Sequence, residues 1–239
     1  MTVSRRLLIP VLAALVAAGT AAPAAASAAA PKVQQLVVFR TGEALQRTVS
    51  TRQTTVAVGG RRCAAGDGTA LAALVRSKPG RLRLRDFGAC SLQGRDGGGL
   101  FVAGIRGDRN RGQNGWVYKV GRRAATAGAA DPAGPFGRGR LRAGQRVTWY
   151  FCHLRQGGCE RTLGLESRTE PGTLVATVRG YDDEGRGLAV DGATVRAGGA
   201  TAVTDAAGVA RLALPPGSYR AVAEKTGMVR SFAERVAVP

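Results

Sequence analysis

The chain has 239 residues, 44% of them hydrophobic, with 35 Lys and Arg against 16 Asp and Glu and a formal net charge of +19. That length and apolar content exclude a disordered chain and fit two small domains, while the charge favours an anionic partner. One histidine, four cysteines and no C-x2-C pair argue against a zinc centre, and no cofactor motif or catalytic set is present, so neither metal nor cofactor nor enzymatic activity is expected.

Arg5 and Arg6 precede an apolar run, Leu7 to Ala18, and Ala26-Ser27-Ala28 has the small-x-small form of a cleavage site. Residues 1–28 therefore read as a secretory signal peptide. The apolar run is shorter than the ~20 residues a bilayer span needs, and no later segment is long and apolar enough for one. The mature protein is expected to be secreted, either free or associated with the cell wall.

A basic first domain is expected over 29–170. Val33–Thr41 and Thr48–Val58 read as strands around a turn at Gly42-Glu43. Asp67-Gly68-Thr69 opens a short helix with Leu71, Leu74 and Val75 on one face, and Pro79-Gly80 ends it. Arg81–Phe87, Leu100–Arg106 and Trp116–Val120 read as strands, and Gly97-Gly98-Gly99 as a flexible turn. The stretch from Gly121 to about Gly144 is a long loop, and such loops are usually functional or mobile. Arg146–Cys152 is a strand with Val147, Trp149 and Phe151 on one face, and Arg161–Glu166 is expected to pair back on it.

Arg168–Gly172 reads as a linker to a second domain over 171–239. Strands near 173–179, 193–196, 200–204, 209–214, 219–224 and 230–238, separated by turn residues, predict a small antiparallel β-sandwich. Asp205-Ala206-Ala207-Gly208 marks a hairpin, with Leu212 and Leu214 inward and Arg211 and Ala213 outward. The fold class is thus mainly β, with an α+β first domain carrying one short helix.

Four cysteines in an exported chain suggest two disulfides, in one of three pairings. A turn at Gln156-Gly157-Gly158 favours Cys152 with Cys159, which leaves Cys63 with Cys90 around the helix.

The charge is unevenly placed. Residues 29–170 carry 25 basic and 9 acidic side chains, net +16, and residues 171–239 carry 8 and 7, net +1. Arg81, Arg83 and Arg85 alternate with leucines, which puts three guanidinium groups on one face of a strand. Arg138, Arg140 and Arg142 repeat the spacing in a Gly-rich stretch, and Arg106, Arg109 and Arg111 form a third group. Of these, Arg81, Arg83, Arg85, Arg138, Arg140 and Arg142 are the candidate anion-binding residues, for an anionic cell-envelope polymer rather than a specific nucleic acid, since base-stacking aromatics are few. Trp116, Tyr118, Trp149 and Tyr150 flank the long loop; they read first as core and alternatively as the lining of a small-ligand cleft. His153, the sole histidine, follows a cysteine expected to be bridged.

Asn114-Gly115-Trp116-Val117-Tyr118-Lys119-Val120-Gly121, followed by Leu141-Arg142-Ala143-Gly144-Gln145-Arg146-Val147-Thr148-Trp149-Tyr150-Phe151, resembles the transcobalamin C-terminal-like domain, with Gly121 where its pattern has Asn and Gln145 where it has Asp. The resemblance covers roughly residues 33–166. It implies a β-grasp-like fold and, as the candidate small ligand, a corrinoid. Gly192-Ala193-Thr194-Val195, Thr204-Asp205-Ala206-Ala207-Gly208 and Leu214-Pro215-Pro216-Gly217-Ser218-Tyr219 resemble the carboxypeptidase-regulatory-like, or transthyretin-like, β-sandwich. That resemblance implies a non-catalytic accessory module, and the whole looks like a secreted protein of actinobacterial type.

Overall fold

The computed structural model describes residues 29–155 and 158–239, so the signal segment and the Gln156-Gly157 part of the turn lie outside the described residues. β1 (Lys32–Val38) and β2 (Ala44–Ser50) form the first hairpin, with Val38 opposite Ala44. The single strand expected over 48–58 is broken. β2 ends at Ser50, and β3 (Thr54–Val58) starts a second hairpin with β4 (Arg61–Ala65), a strand not expected from the sequence. The break has a local cause. Buried Thr51 donates both its N–H and its hydroxyl to the Pro31 carbonyl, and Gln53 N–H donates to Asp67, so 51–53 leave the ladder.

Helix α1 (Ala70–Ser77) is capped by Thr69, whose hydroxyl accepts the Ala72 N–H at 3.1 Å. It stops at Lys78, held at φ 51° ahead of Pro79. After β5 (Leu82–Asp86) the glycine run is not a flexible turn; Gly94–Gly99 winds as a 3-10 helix into β6 (Leu100–Ile105). Short β7 (Asp108–Arg109), β8 (Gly115–Val120), β9 (Arg123–Ala124) and β10 (Arg146–Cys152) complete the first unit.

The main sheet has the order β2-β1-β10-β8-β9, with β10 inserted parallel to β1 and antiparallel to β8. This is a β-grasp-like arrangement. Alternation along each strand gives the sheet two used faces. Val33, Val37, Val147 and Trp149 share one core with Leu71 and Leu74 of α1. Tyr150, Cys152 and Val117 turn the other way. β5, β6 and β7 form a separate antiparallel sheet beside this core. The Gly121–Gly144 loop is tied down: Ala129 accepts from Leu71 N–H, Gly68 accepts from Leu141 N–H, and Ala130 and Leu141 are buried.

The sequence reading of residues 161–172 needs correction. β11 (Thr162–Glu170) does not pair with 146–152, because both edges of β10 are already taken by β1 and β8. It pairs along its whole length with β12 (Thr173–Tyr181), so 168–172 are a strand end and a hairpin turn rather than a linker. Leu163 and Leu165 join the second core, and the two cores part between Phe151 and Leu163.

The second unit continues with β13 (Gly187–Ala189), β14 (Thr194–Ala197), β15 (Ala200–Val203), β16 (Val209–Ala213), β17 (Gly217–Glu224) and β18 (Glu234–Val238). β11, β12, β13 and β16 form one antiparallel sheet and β15-β14-β17-β18 the other, with Leu174, Val178, Val195, Leu212 and Ala221 between them. Leu212 and Leu214 face in, and Arg211 and Ala213 face out. The Asp205 carboxylate accepts the N–H groups of Ala207 and Val209, each at 2.9 Å, and fixes the hairpin. Gly208 is required there: its φ is +77°, and a Cβ would meet the Val178 carbonyl at 2.5 Å.

Candidate functional site

β5 places its leucines against the core and its arginines outward. Leu82 and Leu84 pack on the first core, Arg81 and Arg85 are exposed, and Arg83 is half-buried. In the β5-β6-β7 sheet Arg83 lies opposite Gly104, and Gly104 lies opposite Arg109. Directly opposed residues share a face, so two arginines flank a position that has no side chain. A Cβ at Gly104 would come within 2.7 Å of the Asp108 carbonyl. The Arg83 pKa is lowered, first by the charge on Arg109, then by desolvation and by Arg81.

None of Arg81, Arg83, Arg85 and Arg109 forms an ion pair among the described residues, whereas Arg40, Arg61, Arg106, Arg122, Arg146 and Arg161 all do. Arg85 is opposite Phe101, which is 45% exposed and meets Phe87, 71% exposed, edge-to-face at 6.2 Å. The face is therefore basic and aromatic together. Arg138, Arg140 and Arg142 are exposed on the long loop, where Arg140 contacts Gly68 and the Pro132 carbonyl rather than β5.

The four aromatic candidates do not form one cluster. Tyr118 stacks on Trp149 at 4.9 Å, and Trp116 meets Phe39 and Phe151 edge-on, all on the α1 side of the sheet. Tyr150 faces the second unit with Val229. A cavity of about 230 Å³ lies at the β8 edge and reaches both faces, touching Trp116, Tyr118 and Trp149 on one and Val117, Tyr150 and Asp183 on the other. Tyr118 Oη donates to the Ala127 carbonyl at 2.9 Å, which ties the loop over this space. Burial, then the Asp131 charge, pushes the Tyr118 pKa up.

The seam between the two units is built on Lys119, which is fully buried in β8 between Tyr118 and Val120. Its ammonium donates to the carbonyls of Tyr181 and Asp182 at 3.0 and 2.9 Å and lies 3.3 Å from Asp183 Oδ1. Desolvation lowers its pKa and is opposed chiefly by Asp183. Asp183 Oδ2 in turn accepts the Cys159 N–H. Around this point Arg146 makes a two-pronged pair with Glu234 at 2.6 and 2.7 Å, and Gln46 exchanges hydrogen bonds with the backbone of Ala233.

Both expected disulfides are present, Cys63–Cys90 and Cys152–Cys159, with Cα–Cα distances of 4.9 and 5.1 Å. His153 Nδ1 is 2.8 Å from Glu160 Oε1, beside the second bridge. Among the described residues no group of three His, Cys, Asp or Glu is placed to hold a metal, and no helix is long and apolar enough to cross a membrane.

Sequence reasoning missed Lys119, Asp183 and the exposed Phe87–Phe101 pair. A lysine following Trp-Val-Tyr in a strand was the available signal, since on alternation it shares a face with Val117 and opposes the core. No protein-family model, curated protein or solved structure matches the chain.

Proposed function

We propose that the protein is a secreted, non-enzymatic binding module whose β5-β6-β7 face holds an anionic cell-envelope polymer. The carrying observation is the row Arg83–Gly104–Arg109. Arg83 and Arg109 flank Gly104 on one face, near enough for their charges to oppose each other, and neither has an acid partner among the described residues. Such a row carries an electrostatic cost that an anion relieves, and guanidinium forks match phosphate and carboxylate oxygens. The exposed Phe87 and Phe101 add an apolar patch for the non-ionic part of a polymer. Export through the 1–28 signal and the two disulfides agree with work outside the reducing cytoplasm. The neutral sandwich, resembling an accessory module, serves as the rigid mount.

Retention of mature protein on isolated cell wall tests the proposal. It should fall steeply as salt rises from about 0.05 to 0.5 M, because exposed charges are screened, and Arg83→Gln with Arg109→Gln should elute at lower salt. Retention indifferent to salt would refute it.

A small-ligand reading rests on the β8 cavity. At about 230 Å³ it is below the ~300–1,000 Å³ of ordinary ligand sites, too small to enclose a corrinoid. Cobalamin should therefore leave the Trp fluorescence unchanged.

A further inference from the structure

β8 is hydrogen-bonded to β10 along one edge, but on its other edge β9 pairs only at Lys119 and Val120. From Gly115 to Tyr118 that second edge is paired with no strand, although Asn110 bridges it to the Val102 carbonyl of β6 across the cavity. Two of its groups are used: Trp116 N–H donates to Asn110 Oδ1, and the Tyr118 carbonyl accepts the Ala125 N–H at 3.1 Å. The N–H and C=O of one strand residue point to the same edge. The Trp116 carbonyl and the Tyr118 N–H therefore face outward as well, and neither has a partner among the described residues.

Together they form an acceptor–donor pair spaced to clasp one residue of an extended chain. The cavity lies against this stretch and opens on both faces of β8. Among its lining residues Trp149 Nε1 is buried with no hydrogen-bond partner, while Tyr150 Oη faces Asp183, whose Oδ1 lies 3.3 Å from the Lys119 ammonium. Trp149 and Tyr150 are 1% and 2% exposed. Buried polar groups are rarely left unmatched, so each such group calls for an explanation.

We infer that the β8 edge is a docking site for an extended peptide segment, which adds as a short strand. A backbone residue would accept from Tyr118 N–H and donate to the Trp116 carbonyl. Alternation then sends one neighbouring side chain to each face. On the Tyr118–Trp149 side the alanine-lined wall of the loop, Ala125 and Ala127, admits a small apolar group. On the Tyr150–Asp183 side a neutral hydrogen-bonding group such as a serine or threonine hydroxyl fits; a second cation is disfavoured because Lys119 already offsets Asp183. A bare apolar ligand would leave the Trp116 carbonyl and the Tyr118 N–H unmatched, and this selects a peptide.

Amide hydrogen exchange on the mature protein is the first test. Tyr118 N–H should exchange at least tenfold faster than Val117 N–H, which lies in the ladder with β10. Equal protection in the free protein would overturn the inference. The second test pans phage-displayed random dodecapeptides on the mature protein. An enriched peptide, synthesised with blocked ends, should protect the Tyr118 amide, lose affinity at least tenfold on N-methylation at one position, and lose it similarly to Ala127→Phe. Tyr150→Phe, which leaves the packing in place, should weaken it severalfold, and Arg83→Gln with Arg109→Gln should not. Failure to enrich any peptide that protects Tyr118 would overturn the inference. So would binding abolished by the arginine variant but not by Ala127→Phe, or concentration-dependent protection of Tyr118 by a second copy of the chain.

Discussion

At the scale of residues, the seam turns on Lys119 and Tyr150. The Lys119 ammonium has three acceptors within 3.3 Å and no access to water. Lys119→Met would leave the Asp183 carboxylate and two carbonyls without their partner, and breaking a buried pair from one side costs about 3–5 kcal/mol. Chemical denaturation at pH 7 should show that loss, with Lys119→Met/Asp183→Leu recovering part of it. Tyr150 gives a pH signature. Its pKa is pushed up, first by burial and then by the Asp183 charge. The unfolded chain releases this proton near pH 10 and the folded one only at higher pH, so the stability is intact below about pH 10 and declines above it, by about 1.4 kcal/mol per pH unit. Lys119 runs the other way: its lowered pKa makes stability rise with pH up to about 10.5, where the unfolded amine deprotonates. The difference in unfolding free energy between the native chain and Tyr150→Phe removes the lysine contribution. It should be flat up to pH 10 and then shift in favour of the variant.

At the scale of elements, strand alternation was readable wherever one face is apolar. Val147, Trp149 and Phe151, and Leu212 and Leu214, face inward as their spacing predicts. The helix was readable from Thr69 and the Pro79-Gly80 stop. Pairing was not. Nothing in 161–170 says that β10 will have both edges occupied, because that depends on β1 arriving from over a hundred residues away to lie beside it. The split at Thr51–Gln53 was hidden for a similar reason, since its cause is hydrogen bonding to Pro31 and Asp67. Of the candidate site, the outward arginines of β5 were legible by period two, while their approach to Arg109 required the β6 register and Gly104. The disulfides act on the same scale. Cys63–Cys90 spans 27 residues and Cys152–Cys159 spans 7. Loop-closure entropy then assigns about 3.5 and about 2.4 kcal/mol to them. Replacing each pair by serine should lower the thermal midpoint more for the first, which also holds the loop bearing Phe87.

For the whole molecule, the distribution of charge is the governing feature. The first unit is strongly basic, and acids of the second unit match three of its cations: Arg122 with Glu166, Arg146 with Glu234, and Lys119 with Asp183. The sandwich thus neutralises the face of the sheet it covers and leaves the β5-β6-β7 face unneutralised. One consequence is cooperativity. The native chain should unfold in a single transition, and Lys119→Met combined with Arg146→Ala should separate it into two, by calorimetry.

The most direct check of the central claim compares two variants that lose the same charge. Arg81, Arg83 and Arg109 are changed to Gln in one, and Arg138, Arg140 and Arg142 in the other, and the salt needed to release each from isolated cell wall is measured. If the β5-β6-β7 row is the site, the first variant elutes at markedly lower salt than the native protein and the second stays close to it. Equal displacement of the two would mean that net charge alone holds the protein, and would contradict the account.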